Sequence, residues 1–267
     1  MHVLRKYLEV SKTYMKTQLV WRADVLFNMI FTISKILFAY LLWGMVFQNK
    51  ETVGQFTFHS MLSYYIISSF LSQLDMSEGI SREIHDRIRN GTFSKYLVIP
   101  VSVEKYFAAM EFGIAAFYSV FDFLAAIIWI LIFRIRFVFS TDIRVILCAL
   151  IITALGMLFM VQLNFYLGLL TLKYQGIGTF LMIKNNLAAL ITGTIIPLAL
   201  FPDAIVKVMQ LLPFYYVTYL PAMLLTGMCQ NEAAAGVAVI AVWCLAMQFV
   251  ITVTWKKYLR KYDGVGI

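Results

Sequence analysis

Few residues of this chain have the types and spacing that enzymatic chemistry requires. The histidines, His2, His59 and His85, are isolated, and none belongs to a cluster with metal-ligand spacing. The sequence contains no G-x-S-x-G nucleophile motif and no G-x-x-x-x-G-K-[ST] phosphate loop. The three cysteines are scattered and odd in number, so they predict no disulfide framework. We therefore expect no enzymatic activity, no metal and no cofactor bound by this chain.

The most specific local pattern is the charged segment from Ser77 to Gly91. Isoleucines recur every four residues, and opposite charges stand four residues apart as Glu/Arg pairs. Gly91 suits the left-handed position after a helix. The pattern predicts a short helix with one apolar stripe and one charged face. Either a soluble partner or the chain's own helices would cover the stripe. The residues of interest are Ile80, Glu83, Ile84, Arg87, Ile88, Arg89 and Gly91.

The elements that position this segment are long apolar stretches. Hydrophobic residues make up 61% of the 267 residues, charged residues only 13%, and the mean hydropathy is +0.81. A spanning helix needs about 20 apolar residues, and its backbone must satisfy its own hydrogen bonds. We predict an all-α integral membrane protein with a single domain and six spans. The predicted spans are Val25–Phe47, Phe58–Leu74, Phe107–Phe133, Ile143–Leu172, Phe180–Phe201 and Ala233–Trp255.

The distribution of basic residues predicts the orientation of these spans. With both termini in the cytoplasm, sixteen of the 22 Lys and Arg residues lie inside and five outside. The charged segment 75–104 then lies in the cytoplasm. The net charge of +8 flanks apolar spans, which favours contact with anionic lipid over nucleic acid. We expect a multi-pass protein of the cell membrane.

Two further segments have patterns of their own. Residues 1–22 predict an amphipathic helix in the headgroup plane, although a solvated basic tail is the alternative. Residues 202–230 are apolar but contain prolines, which predicts two short helices that enter the outer leaflet and return. The apolar residues of the first segment at helical spacing are Leu4, Tyr7, Leu8, Tyr14, Met15 and Leu19, and the prolines of the second are Pro202, Pro213 and Pro221.

Polar residues inside the spans are candidates for function, because burying them in lipid is costly. Lys35 and Asp122 both fall near mid-membrane and could form an ion pair; alternatively, Lys35 faces a subunit interface or reaches toward the headgroups. Gln162 and Asn164 favour hydrogen bonds between helices. Near the inner boundary, Glu111 is expected to be hydrated and Lys184 to reach the interface.

Two runs resemble signatures of type-2 ATP-binding-cassette (ABC) exporter permeases. After the charged helix, Gly91, Leu97, Pro100 and Ser102 match a family pattern that precedes the third span. Before the last span, an apolar hairpin is followed by a Pro-Phe-x-Tyr-type run. That run is Pro213, Phe214 and Tyr216. Together with the predicted flanking helix, six spans and basic tail, the resemblance covers nearly the whole chain.

The resemblance implies a half-transporter. Two permeases, identical or related, would pair above two cytoplasmic ATPase subunits that bind the ATP. Segment Ser77–Gly91 would be a coupling helix that docks into an ATPase, and the amphipathic helix would also touch it. We therefore expect the permease subunit of an exporter. The competing classes are an ion-coupled secondary transporter, whose internal repeats are not evident here, and an assembly protein without transport.

Overall fold

The computed structural model describes residues 2–20, 22–174 and 176–260. Its described part is mostly helical, with one short β-hairpin. Lys261, one of the sixteen basic residues predicted to lie on the cytoplasmic side, falls outside the described residues. The elements are α1 His2–Thr17, α2 Arg22–Val46, β1 Thr52–Val53, β2 Phe56–Thr57, α3 Phe58–Gln73, α4 Glu78–Arg89, α5 Ser94–Leu97, α6 Val103–Ile132, α7 Ile143–Leu169, α8 Gly178–Ile191, α9 Asp203–Met209, α10 Leu220–Leu225 and α11 Ala233–Leu259.

Short 3₁₀-helical and π-helical turns adjoin several of these elements. The 3₁₀ turns are Gln18–Val20, Leu170–Leu172, Leu198–Leu200 and Gln230–Glu232, and a π-helical turn, Tyr215–Tyr219, leads directly into α10. A capping box starts α3: the Ser60 amide donates to the Thr57 hydroxyl and the Thr57 amide to the Ser60 hydroxyl. This cap sets the point where the hairpin ends and the helix begins.

Three helical segments of the described residues are long and apolar enough to cross a membrane. They are Val103–Ile132, Ile143–Leu172 and Gln230–Leu259, and the shorter apolar stretch Ile30–Val46 belongs to α2. These segments make the chain an α-helical, multi-pass membrane protein. α3 and α8 have 16 and 14 residues. At about 1.5 Å per residue they are shorter than the hydrocarbon core.

The predicted fifth span is wrong as a continuous helix. α8 ends at Ile191, and Gly193 takes a left-handed conformation with φ of 67°. The Tyr64 hydroxyl donates to the Gly193 carbonyl at 2.8 Å, and the Tyr65 hydroxyl to the Ile195 carbonyl at 2.7 Å. These bonds replace helical ones, and Pro197 has no amide with which to continue a helix. A contact with α3 therefore ends the helix.

The main core lies where α7 packs against α11, α10 and the π-helical turn. Residues 214–225 are buried throughout, including the large side chains of Tyr215 and Tyr219. Pro202 precedes α9, Pro213 precedes the π-helical turn and Pro221 lies in the first turn of α10. Segment 202–230 thus has the two predicted helical units, one of them with a π turn. Its entry from the outer leaflet stays a prediction.

Candidate functional site

The charged helix α4 is fastened to the bundle by its apolar stripe. Ile80, Ile84 and Ile88 are each 0% exposed. They pack in one cluster with side chains from α6, α7 and α11, including Phe107 and Phe165. The chain's own helices therefore cover the stripe, so the isoleucines present no surface to a soluble partner.

A glycine on α7 makes this close packing possible. A Cβ placed on Gly168 would lie 2.8 Å from Ile84 Cβ and 3.1 Å from its Cγ2. Real Cβ atoms essentially never approach so closely, so only glycine lets α4 sit at this depth. The contact couples the position of α4 to the inner end of α7.

The end of α4 is capped as the sequence predicts. Gly91 has φ of 68°, in the left-handed region. Behind it, the amides of Thr92 and Phe93 donate to the Arg87 carbonyl at 2.8 and 3.0 Å. Phe93 is buried in the same cluster as the isoleucines. The turn therefore anchors α4 at its C-terminal end and directs the chain into α5.

The opposite face of α4 is charged and open. Arg82, Asp86 and Arg89 are exposed. Both predicted ion pairs are present: Arg82 with Glu78, and Arg87 Nε with Glu83 Oε1 at 2.8 Å. The sequence therefore predicted the charge pattern correctly, since pairs four residues apart depend only on helical geometry.

Glu83 ties α4 to α5. Its Oε1 also accepts a hydrogen bond from the Tyr96 hydroxyl at 3.1 Å. Burial raises the pKa of Tyr96 to about 12, and the Glu83 carboxylate adds to this shift. The hydrogen bond to Glu83 raises the pKa of the Arg87 guanidinium. Glu83 and Arg87 are thus engaged within the chain, whereas Asp86 and Arg89 remain free for contact.

A buried polar cluster holds the start of α4, and little in the sequence pointed to it. Asn164 Nδ2 donates to the Ser77 hydroxyl at 2.7 Å, and Lys184 Nζ donates to Asn164 Oδ1 at 3.3 Å. The Ser77 amide donates to Asp75 Oδ1 at 3.1 Å. Burial raises the pKa of Asp75, although the Ser77 hydrogen bonds and the Lys184 charge act in the opposite direction. The cluster joins α4, α7 and α8.

Two expectations about the inner boundary are wrong. Lys184 is 7% exposed and points to Asn164 instead of reaching the interface. Glu111 is 3% exposed and therefore buried instead of lying at the boundary, and in the described part of the chain its Oε1 has no hydrogen-bond partner. Both side chains are buried in the folded bundle, and the partner that Lys184 contacts, Asn164, is on α7, which a helical wheel of α8 does not show.

The two charged intramembrane candidates lie on the neighbouring helices α2 and α6 but form no direct ion pair. Lys35 is exposed and lines a groove beside α3, whereas Asp122 is buried on α6. Among the described residues, no ion pair joins them within 4 Å, so the predicted pair is not formed. Gln162 donates to Gln248 of α11 at 2.7 Å, and Asn164 bonds Ser77 as above. These last two have interhelical partners of the expected kind.

The first helix is attached to α6. The Ser11 hydroxyl donates to the Ala109 carbonyl at 2.6 Å, and a Cβ on Gly113 would lie 2.1 Å from the Ser11 carbonyl oxygen. Leu4 and Leu8 flank this contact on the same apolar stripe of the helix and stay exposed, at 67% and 47%. α1 is therefore amphipathic: its apolar stripe packs partly on α6 and leaves leucines exposed beside the contact, and Glu9 and Lys12 lie on the side away from Ser11.

The described residues contain no group of three or more His, Cys, Asp or Glu side chains that could hold a metal.

The fold and this site define a multi-helix membrane protein with a charged helix packed on one end of its bundle. A family model described as ABC-2 family transporter protein matches residues 27–266. The chain therefore belongs to the ABC-2 transporter family, as a permease subunit of an ABC transporter. A search of curated proteins finds no match.

Proposed function

We propose that this chain is the membrane subunit of an ATP-driven exporter. Two permeases would form the translocation path, and two cytoplasmic ATPase subunits would supply the energy. Membership in the ABC-2 family supports the permease role and, in general, association with an ATP-binding subunit. Export and the pairing with a second permease come from the family resemblance. The placement of both termini in the cytoplasm comes from the distribution of basic residues.

The observation that carries the proposal is the two-sided environment of α4. One face is fully buried against α6, α7 and α11, while Asp86 and Arg89 on the other face are exposed. A helix seated in this way cannot slide independently, because Ile84 and Gly168 are in tight contact. A displacement imposed on the charged face is therefore passed to the bundle.

The family resemblance implies a mechanism, and the contacts of α4 supply its route into the bundle. ATP closes the two ATPase subunits and moves the docked α4 helices toward each other. The Ile84–Gly168 contact transmits the shift to α7, and the Ser77–Asn164–Lys184 hydrogen bonds transmit it to α8. The permease pair then opens outward. ATP binding shifts the equilibrium between two conformations of the permease pair. The helices that contact α4 transmit this shift to the membrane-spanning part.

We place six crossings in the chain: α2, α3, α6, α7, α11 and the unit of α8 with residues 192–201. The non-helical part of that unit lies against α3, where Tyr64 and Tyr65 bond its carbonyls. Irregular backbone at membrane depth is stable where protein covers it and supplies hydrogen bonds. An even number of crossings is consistent with both termini on one side.

We place α1 in the headgroup plane on the cytoplasmic side. Its exposed leucines face lipid in this arrangement, while Ser11 holds it to α6. A helix attached at the base of the third span can also touch the ATPase that α4 binds. The alternative of a free, solvated tail does not account for its contacts with α6.

Charge reversal on the open face of α4 tests the proposal. Replacing Glu83, Arg87 and Arg89 together by Ala should abolish ATPase binding, but Glu83 also holds Tyr96. The double variant Asp86→Lys/Arg89→Glu is sharper, because both side chains are exposed. The tagged chain is solubilised from native membranes, and co-purifying ATPase is identified by mass spectrometry through its phosphate-loop sequence.

We expect the double variant to lose most of the co-purified ATPase while keeping the melting temperature of the parent chain. The matched control is Arg144→Glu, an exposed charge at the other end of the bundle, which should retain the ATPase. Unchanged complex formation by the double variant would count against the proposal. Equal loss in the control would show that the effect is not specific to α4.

A further inference from the structure

A groove of about 540 Å³ opens between α2, α3 and residues 194–196. Its walls include the apolar side chains of Phe38, Leu42, Trp43 and Ile196, and Lys35 also lines it. The volume lies within the range of ligand sites, about 300–1,000 Å³. The groove thus offers a long apolar surface with one cationic group.

One wall of the groove is held in place by hydrogen bonds. The Tyr65 hydroxyl bonds the Ile195 carbonyl, and the Tyr64 hydroxyl bonds the Gly193 carbonyl next to it. A Cβ on Gly193 would lie 2.6 Å from the Tyr64 hydroxyl oxygen, so the wall fits closely on α3. The end of α8 is therefore shaped by specific contacts, and the groove follows from that shape.

Lys35 is the informative residue of the groove. It is the fourteenth residue of α2, which has 25. Within the described ranges, Lys35 forms no hydrogen bond and no ion pair. The Asp122 carboxylate interacts with it through space, from beyond 4 Å. A lysine in a span is costly, and such residues generally contact a charged partner or a ligand.

We propose that this groove binds an anionic amphiphile, a molecule with one acidic headgroup and an apolar tail. The ammonium of Lys35 would contact the headgroup, and the apolar wall that includes Phe38, Leu42 and Trp43 would cover the tail. A lysine recognises an anion as a point charge, so a carboxylate or a phosphate fits equally. The inference rests on the proposed function, because it makes such amphiphiles the substrate class of the exporter.

Trp43 supplies a direct readout. Bromine atoms quench indole fluorescence on contact, so 9,10-dibromostearate is a suitable probe. The full-length chain is placed in phosphatidylcholine nanodiscs, where no anionic lipid competes. Quenching should saturate with the acid, and the saturable part should disappear in Trp43→Phe. The neutral methyl ester is the matched control ligand, since it differs only in charge.

Substitution of Lys35 decides the result. Lys35→Met should raise the Kd of the acid at least about tenfold, the factor that a lost charge-assisted hydrogen bond implies. Lys35→Arg should stay within about threefold of the parent Kd, because it keeps the charge. The methyl ester should bind both variants equally and more weakly than the acid binds the parent.

An unchanged Kd in Lys35→Met, or an ester that binds as tightly as the acid, would overturn the inference. A change of oligomeric state in Lys35→Met without a change in Kd would also overturn it, because Lys35 would then belong to a subunit interface. Melting temperature and gel filtration confirm that the variants fold. The assay needs no ATPase, so a negative result here leaves ATPase binding by α4 intact, and loss of that binding leaves this result intact.

Discussion

Gly168→Ala should destabilise the permease by forcing α4 away from α7. The new Cβ would lie 2.8 Å from Ile84 Cβ, whereas ordinary contact begins at 3.4 Å. The two helices must therefore separate locally by about 0.6 Å. Overpacking of this kind costs about 1–3 kcal/mol. The substitution also raises helix propensity, which offsets up to about 1 kcal/mol of that cost.

Gly44→Ala is the matched control for this change. Gly44 is also close to the C-terminal end of an apolar helix, and a Cβ placed on it would meet no neighbour within 4 Å. Both variants gain the same helix propensity, so their difference isolates the overpacking. At about 2–4 °C per kcal/mol, Gly168→Ala should melt about 2–12 °C below Gly44→Ala. The assay is thermal unfolding of the purified chain in detergent, followed by intrinsic fluorescence.

A double-mutant cycle with Ile84→Ala tests whether the contact itself is responsible. Ile84→Ala alone leaves a cavity and should cost about 2–5 kcal/mol. In the double variant the methyl group added by Gly168→Ala partly fills that cavity, so the two costs should not add. We expect a coupling of about 0.5–3 kcal/mol. Strict additivity, or equal melting of Gly168→Ala and Gly44→Ala, would refute the packing argument.

Lys184→Met removes the donor to Asn164 and should lower the melting temperature by several degrees, since an unpaired buried polar group costs about 1–3 kcal/mol. The exposed Lys50→Met should melt like the parent, and an unchanged midpoint for Lys184→Met would exclude a structural role for its hydrogen bond. In a cysteine-free background, Asn90→Cys should react with a membrane-impermeant maleimide only after the membrane is permeabilised, whereas Arg144→Cys should react in intact cells. Labelling of Asn90→Cys in intact cells would invert the proposed topology.

Features governed by local geometry could be predicted from the sequence. The ion pairs of α4 and the left-handed Gly91 follow from spacing along one helix and from the steric freedom of glycine. The membrane class follows from composition, because apolar transfer energies add along a segment. The short helices of 202–230 follow from the positions of the prolines.

Features that join distant parts of the chain could not be predicted in this way. The stripe of Ile80, Ile84 and Ile88 indicates burial but does not name the surface that covers it, and Gly168 looks like any helical glycine. Lys184 has a boundary position by helical register, yet Asn164, twenty residues earlier, draws it inward. The residues that contact the stripe, Ile84 and Lys184 are not marked by any periodic pattern in the sequence.

The sequence by itself determined that this protein lies in the membrane and carries a striped, charged helix between apolar segments. Only the tertiary structure decided that the stripe packs on the protein's own bundle, that α8 stops at Ile191, and that Lys35 lines a groove beside α3. The physical reason is that hydrophobicity and helical period are properties of a segment. Close packing and buried hydrogen bonds, in contrast, are properties of pairs, such as Tyr64 with Gly193, that meet only after folding.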